Sequence, residues 1–533
     1  MGTFKNASTA APLAAATQPR RWWILAALAL SLLVVGLDAT VLNVALSDIS
    51  RDLGASTTEL QWIVNGYTLT SAVLLIPAGM LGDRIGRRTV LTTGLAVFVV
   101  ASAIGAFATT SAELIVARTV MGIGAGAVFP LSMSIIPTVF APKERGKAVA
   151  ALTAAMGVGM PLGPLVGGWL LDNYWWGSTL LINVPTVAVA LIAGFTLIPN
   201  SKDSGSSRFD LAGMLLTIAG LAGIVYGVTQ VPVDGWDSWS VLAPLVGGAA
   251  LLGAFAFVER RAAAPLMDRR IIKNPMFVWP TVTTALTSFV MMGLLFALPL
   301  YMQAFLGDSA LVTGLKLMPM MVALVLGSVV GTRLAPALGL RVMVSAGIAI
   351  SAVGFVILLF LTPTSDYWPL LSALLVTGFG FGIAMPPAMT AMLDALPDGI
   401  QSTGTAVNLS VKQTVGALGV AILGSILTAA YRAGMDAPTA HLPAAAADAA
   451  HDSLGGAMAV ASRLGPGPAG SALKVAAGTA YLDGVHLVSL VSLAAAILIA
   501  VAMALVLPAR HQGEHTASPA PAPSPPKAGK MSS

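Results

Sequence analysis

Residues 22–46, WWILAALALSLLVVGLDATVLNVAL, form an apolar run of 25 residues interrupted by one carboxylate, Asp38. About 20 apolar residues suffice for a helix to cross a bilayer, so this stretch reads as a membrane span that holds a charge at depth. The same pattern recurs along the chain. Apolar runs separated by short polar segments predict fourteen spans, at 22–46, 59–81, 89–109, 112–139, 148–171, 177–198, 210–229, 240–258, 276–304, 312–332, 341–361, 368–393, 403–430 and 481–508. The 533 residues are 56% hydrophobic and only 10% charged, whereas soluble domains carry about 25% charged residues. A soluble enzyme, a secreted scaffold and a disordered regulator are excluded. The fold class is an all-α polytopic membrane protein.

Where the charge lies sets the sidedness. The net charge of +5 would suit a nucleic-acid binder, but the basic residues cluster in short segments between spans. Of 28 Lys and Arg, 21 fall on the side of the termini, and basic loops mark the cytoplasmic face. Both termini are therefore expected in the cytoplasm, in a plasma-membrane protein with no nucleic-acid partner. With no cysteine in the chain, disulfide and thiolate-metal chemistry are excluded. Residues 1–21 read as a cytoplasmic segment ahead of an uncleaved first span, since no small-residue cleavage site follows and Asp38 lies within the run. Residues 259–275, with Arg260, Arg261, Arg269, Arg270 and Lys273, read as a basic segment on the inner leaflet. Residues 431–480 read as an alanine-rich outer loop, partly helical, and 509–533 as a disordered cytoplasmic tail rich in Pro, Ala and Ser.

A short internal repeat links the two ends of the chain. Leu81-Gly82-Asp83-Arg84-Ile85-Gly86-Arg87-Arg88 follows the second span, and Leu334-Ala335-Pro336-Ala337-Leu338-Gly339-Leu340-Arg341 follows the tenth, with leucine, glycine and the last arginine in register. Repeated halves are a common transporter plan. They place one six-helix bundle at 22–198, two extra spans and a linker at 199–275, and a second bundle at 276–508.

Three motifs carry chemistry. In the first, from Gly79 to Arg88, glycines allow a tight turn, and Asp83 beside Arg84, Arg87 and Arg88 can form ion pairs that change with conformation; Glu144 and Arg145 follow the fourth span. In the second, Gly159, Gly163 and Gly167 lie four apart, so they share one helix face and admit a close neighbour. Gly168 adjoins them, and Pro164 removes a backbone hydrogen bond and bends the helix. Third, two charges lie at similar depth. Asp38 is 16 residues beyond Trp22, about 24 Å along a helix and so about 6 Å short of the far boundary of a core about 30 Å thick. Arg118 lies about 9 Å below that same boundary.

These motifs resemble the major facilitator superfamily. The Gly79–Arg88 loop resembles its signature loop, and Gly159 to Gly168 resembles the antiporter motif of its drug exporters. Leu37 to Leu46 and Leu114 to Gly122 resemble the first- and fourth-helix signatures of its fourteen-helix drug:proton antiporters, the EmrB/QacA type. The resemblance implies two six-helix bundles plus two central helices, and proton-coupled export of lipophilic compounds by alternating access. It implies no cofactor beyond the proton gradient; a monomer is expected, the sequence itself leaving the oligomeric state open.

Desolvation favours a neutral carboxylic acid and a nearby guanidinium favours the carboxylate. Asp38 and Arg118 are thus either a proton-coupling switch or a permanent bridge that only locks helices. Asn43, Trp62, Asn65, Tyr67, Phe289, Met292, Phe296, Tyr301, Gln303 and Lys412 are candidates for cargo contact, since aromatic and thioether groups make adaptable surfaces; each also fits ordinary helix packing. Lys316, at the start of its span, can snorkel to the outer interface. A proton-linked uptake carrier and a non-transporting membrane sensor are the alternatives. No metal-ligand cluster, phosphate-cradling loop or nucleophile–base pair points to an enzyme.

Overall fold

The run that opens at Trp22 is one continuous helix in the computed structural model, which describes residues 20–202, 211–261, 274–396 and 401–506. The first half comprises α1 (Arg20–Leu53), α2 (Thr57–Ile85), α3 (Arg87–Gly105), α4 (Ser111–Val139), α5 (Pro142–Asn173), the short α6 (Ser178–Leu181) and α7 (Asn183–Leu197). A hairpin follows, α8 (Leu211–Asp234) and α9 (Trp239–Arg261). The second half comprises α10 (Pro275–Leu300, ending in a π turn, Tyr301–Phe305), α11 (Ala310–Leu338), α12 (Leu340–Leu358), α13 (Tyr367–Asp394), α14 (Gln401–Thr439), α15 (Ala444–Asp452), α16 (Leu454–Leu464) and α17 (Pro468–Val506). Among the described residues, 12 helices are long and apolar enough to cross a membrane, or up to 14 with two bent helices each taken as one span. Helices dominate because lipid offers no partner for a free peptide group.

The two bends fall at prolines. The arms of α2 meet at 52° across Leu75–Pro77, and those of α5 at 40° across Met160–Leu162. The second bend lies in the turn ahead of Pro164, where a missing proline N–H loosens the ladder. The far end of α2 is fixed by a capping box, in which Ser56 and Glu59 satisfy each other's backbone. Glu59 also accepts a hydrogen bond from Ser111 Oγ at the start of α4, so the two helices share one anchored end.

The internal repeat is visible as packing. In the first half α1 lies along α5, α2 along α4, and α3 along α4 and α7. In the second half α10 lies along α14, α11 along α13, and α12 along α13 and α17. The main joints between the halves, α2 on α14 and α5 on α11, exchange under the same correspondence. The α8–α9 hairpin stands outside this pattern. Leu221 and Val225 of α8 pack on Leu69 and Val73 of α2 and on Ala417 and Ala421 of α14, so α8 flanks the seam and touches both halves.

Residues 431–480, expected as a partly helical loop, are mostly helical. Residues 431–439 continue α14, α15 and α16 form a hairpin, and α17 begins at Pro468. Alanine favours helix, and packing holds the hairpin down: Tyr431 Oη donates to Ala450 O (2.8 Å) and Ser453 O (3.1 Å). Thr57 Oγ1 donates to Asp452 O at 3.1 Å, tying the hairpin to the first half as well. Glu144 and Arg145, which follow the fourth span, lie in the first turns of α5, which opens at Pro142, where proline is favourable. Most of residues 1–21 and 259–275, together with the 509–533 tail, lie outside the described residues.

Candidate functional site

Asp38 and Arg118 meet inside the first half. Asp38 is 0% exposed and Arg118 2%; Arg118 Nη1 donates to Asp38 Oδ2 at 2.7 Å. The pair is held from four helices. Arg118 Nε donates to Ile63 O on α2 at 3.4 Å, and the guanidinium lies 4.2 Å from the centroid of the Tyr67 ring. The other carboxylate oxygen, Asp38 Oδ1, accepts from Asn183 Nδ2 on α7 at 2.8 Å. That amide also donates to Ser102 Oγ on α3 at 3.1 Å, and Ser102 Oγ donates to Leu180 O at 2.8 Å. Depth along α1 and α4 anticipated the pair, but not Asn183 or Ser102. The available signal was a lone asparagine two residues ahead of Pro185 in an otherwise apolar span. Two charges in low dielectric are tolerable only with partners of this quality, and removing one strands the other.

The glycine face of α5 lies on α1, one to two turns from Asp38. A Cβ on Gly159 would strike Leu33 O and come within 2.9 Å of Leu37 N; on Gly163 it would strike Thr40 Oγ1 and lie 2.8 Å from Val41 N; on Gly167 it would lie 3.0 Å from Val41 O. The backbones therefore run at a separation only glycine permits. Thr40 joins the two motifs chemically. Pro164 cannot donate to the carbonyl four residues earlier, and that carbonyl, Met160 O, accepts from Thr40 Oγ1 at 2.7 Å. The bend in α5 is thereby satisfied by the residue two positions after Asp38. Gly168 faces the other half, where a Cβ would lie 2.5 Å from Leu311 Cα on α11; Gly314 of α11 packs in turn on Pro164.

At the end of the molecule where the chain enters, the Gly79–Arg88 stretch is a helix end and a helix start broken at Gly86, not an extended loop. Gly86 has φ +125°, and Gly339, its partner in the repeat, has φ +84°. Both conformations exclude ordinary side chains. Asp83 Oδ1 pairs with Arg87 at 2.7 Å, while Arg87 Nη1 donates to Ser134 O on α4 at 2.8 Å. Arg88 Nη1 reaches Ile198 O at 3.4 Å, and Arg84 is exposed. Gly79 is packed more loosely: a Cβ there would have Pro130 Cβ as its nearest neighbour, at 3.6 Å. Glu144 pairs with Arg21 at 2.8 Å, and Arg145 donates to Phe140 O and Pro137 O at 3.2 and 3.1 Å. The cluster cross-braces α1 to α5 at this end.

The cargo candidates are dispersed. Asn43, Asn65 and Tyr67 are buried, and neither end of the Asn65 amide has a partner. Trp62 turns outward onto Tyr226 of α8, ring centroids 6.1 Å apart, so it seats the extra hairpin. Phe296 is fully buried in packing, whereas Phe289 and Met292 are half-buried, beneath Gly419 and beside Gly416 of α14. Tyr301 stacks on Phe305 and Tyr481, and Gln303 Nε2 donates to Val44 O at 2.7 Å; both belong to the closed seam at the end opposite the termini. Lys316 pairs with Asp308 at 2.6 Å instead of reaching freely for the interface. Lys412 is half-buried on α14. Hydrogen bonds between the halves run from that far end, Ser309 to Asp172 at 2.9 Å, down to mid-depth, Ser71 to Gln413 at 3.0 Å and Ser410 to Ala72 O at 2.7 Å.

Comparison with known proteins places this architecture. Residues 28–420 match the family model described as Major Facilitator Superfamily. The chain is 36% identical over 422 residues to the puromycin resistance protein pur8 of Streptomyces alboniger, spanning 78% of this chain and 83% of that protein. It is 31% identical over 495 residues to the multidrug efflux pump LfrA of Mycolicibacterium smegmatis, spanning 92% and 97%. The crystal structure of a bacterial homologue of the human lysosomal transporter Spinster, inward-facing and unoccupied, is similar with a TM-score of 0.64 at 18% identity, over 91% of this chain and 98% of that one. That likeness concerns the fold.

Proposed function

The chain belongs to the Major Facilitator Superfamily, and from that premise we propose that it is a proton-coupled antiporter exporting lipophilic compounds from the cytoplasm. It is a multi-pass membrane transporter of small substrates and not an enzyme. The finer reading, of the fourteen-helix drug:proton type, rests chiefly on one observation: a carboxylate buried at depth, shared between Arg118 and Asn183. Protonating Asp38 removes its charge and releases the guanidinium, so the packing of α1 against α4 and α7 differs between the two protonation states. In this scheme a proton entering from outside neutralises Asp38 while cargo leaves, and its loss to the cytoplasm restores the pair. The seam closed at the end opposite the termini fits a state open toward the cytoplasm when basic loops mark the inside.

The energy suffices. One proton entering at about 150 mV yields about 3.5 kcal/mol, which sustains a gradient of roughly several hundred-fold for a neutral cargo. Relatives named for resistance to puromycin and for multidrug efflux support antibiotics or similar lipophilic metabolites as the cargo class. The chain needs no cofactor and acts in the plasma membrane. The test is Asp38→Asn in inside-out vesicles with an imposed pH gradient. Uphill transport should disappear while protein stays in the membrane and unlabelled cargo still exchanges for labelled. Normal coupling would remove Asp38 as the carrier. Loss of exchange together with thermal stability would make the pair a permanent lock.

A further inference from the structure

Charges in the bundle interior are not evenly compensated. Asp38 and Arg118 neutralise one another, and Lys316 is paired with Asp308. Lys412 is different: among the described residues it makes neither an ion pair nor a hydrogen bond. It lies 11 residues beyond the start of α14 at Gln401, about 16 Å along the helix and so near the middle of a core about 30 Å thick.

Its surroundings are polar. Asn408, Lys412, Gly416 and Gly419 recur at helical spacing on the face of α14 that meets α10. One turn before Lys412, Asn408 Nδ2 donates to Thr284 Oγ1 at 2.9 Å; one turn after it, Gly416 lies beside Ser288 and Met292. The adjacent Gln413 accepts from Ser71 of the first half, so the lysine sits next to the joint that opens and closes during transport. Intramembrane lysines face a cavity or a partner, because an ammonium among lipid tails is too costly.

We propose that Lys412 selects the charge of the cargo, and that the site takes apolar molecules bearing a negative charge, such as a carboxylate or phenolate, in preference to cations of the same size. This rests on the exporter reading for its biological meaning, but the selectivity resides in binding alone. An anionic cargo supplies the counter-charge that no described residue provides at this position, whereas a cation adds like charge where water is scarce.

Tetraphenylborate and tetraphenylphosphonium, closely matched in size with opposite charge, test it on the purified full-length protein. Wild type should bind the anion at least about tenfold more tightly than the cation, since like charges in juxtaposition are strongly disfavoured. Lys412→Met should erase that preference, and Lys412→Arg should keep it. Wild type binding neither ion, Lys412→Met retaining the ratio within twofold, or Lys412→Arg losing it as fully as Met would each overturn the proposal. Binding needs no proton gradient, so failure of the antiport reading shows separately: intact anion preference without proton-driven export of tetraphenylborate in vesicles would sink that reading and leave this one standing.

Discussion

Adding one methyl group at Gly168 should open the seam between the halves. A Cβ there would lie 2.5 Å from Leu311 Cα and 2.7 Å from Ala310 O, and both belong to backbone that no side-chain rotation can move. Overpacking of this kind costs about 1–3 kcal/mol. The contact joins α5 to α11 across the halves, so the cost falls on the state in which this end is closed and is relieved when it opens. A difference of that size shifts the equilibrium roughly 5- to 150-fold toward a state open at this end. The chain has no cysteine, so Ser50→Cys introduces a single thiol. Ser50 is buried beside Gly455 of the α15–α16 hairpin and, with the sidedness proposed above, becomes reachable from outside when the seam parts. Labelling by a membrane-impermeant maleimide in intact cells should accelerate in the Gly168→Ala background. Gly157→Ala is the control, since its added Cβ meets nothing within 4 Å. Unchanged labelling in the Gly168 variant, or equal acceleration by the control, would refute the reasoning.

Two further perturbations probe the backbone. Gly86→Ala forces a side chain into φ +125° and should cost about 1–3 kcal/mol, seen as a lower unfolding midpoint in detergent; Gly339→Ala should behave alike, and wild-type melting in either variant would contradict the assigned strain. Thr40→Val removes the donor to Met160 O, leaving a buried carbonyl unsatisfied at about 1–3 kcal/mol, whereas Thr40→Ser keeps the hydroxyl. Equal melting of the Val and Ser variants would show that the bend in α5 does not depend on that bond.

Much of this architecture was legible in the amino-acid order because lipid imposes a simple grammar. A span must be long, apolar and helical, so hydropathy found each long helix, although α14 runs on to Thr439 and α17 starts at Pro468, beyond the apolar runs that announced them. A charge within such a run needs a partner at its own depth, and Asp38 with Arg118 followed from counting rise along two helices. Four-residue glycine spacing announced a close approach, because i and i+4 share a helix face. The repeat around Gly86 and Gly339 was visible for a similarly local reason: each ends one helix and starts the next in a conformation that favours glycine.

Tertiary structure decided what depends on rotation about helix axes and on contacts between distant segments. Trp62 and Tyr67 lie in the same span, yet one turns to α8 and the other to Arg118. Asn183 found Asp38 across 145 positions, and Thr40 found the one carbonyl that Pro164 had left free. The polar-looking stretch after Tyr431 folded into helices because its alanines and tyrosine had a surface to pack on. Composition could assign a lysine to the middle of a span, but only the packed bundle showed that Lys412 has no counter-charge among the described residues. Local sequence dictates which helices form; the partners a side chain meets are set by where the rest of the chain leaves room.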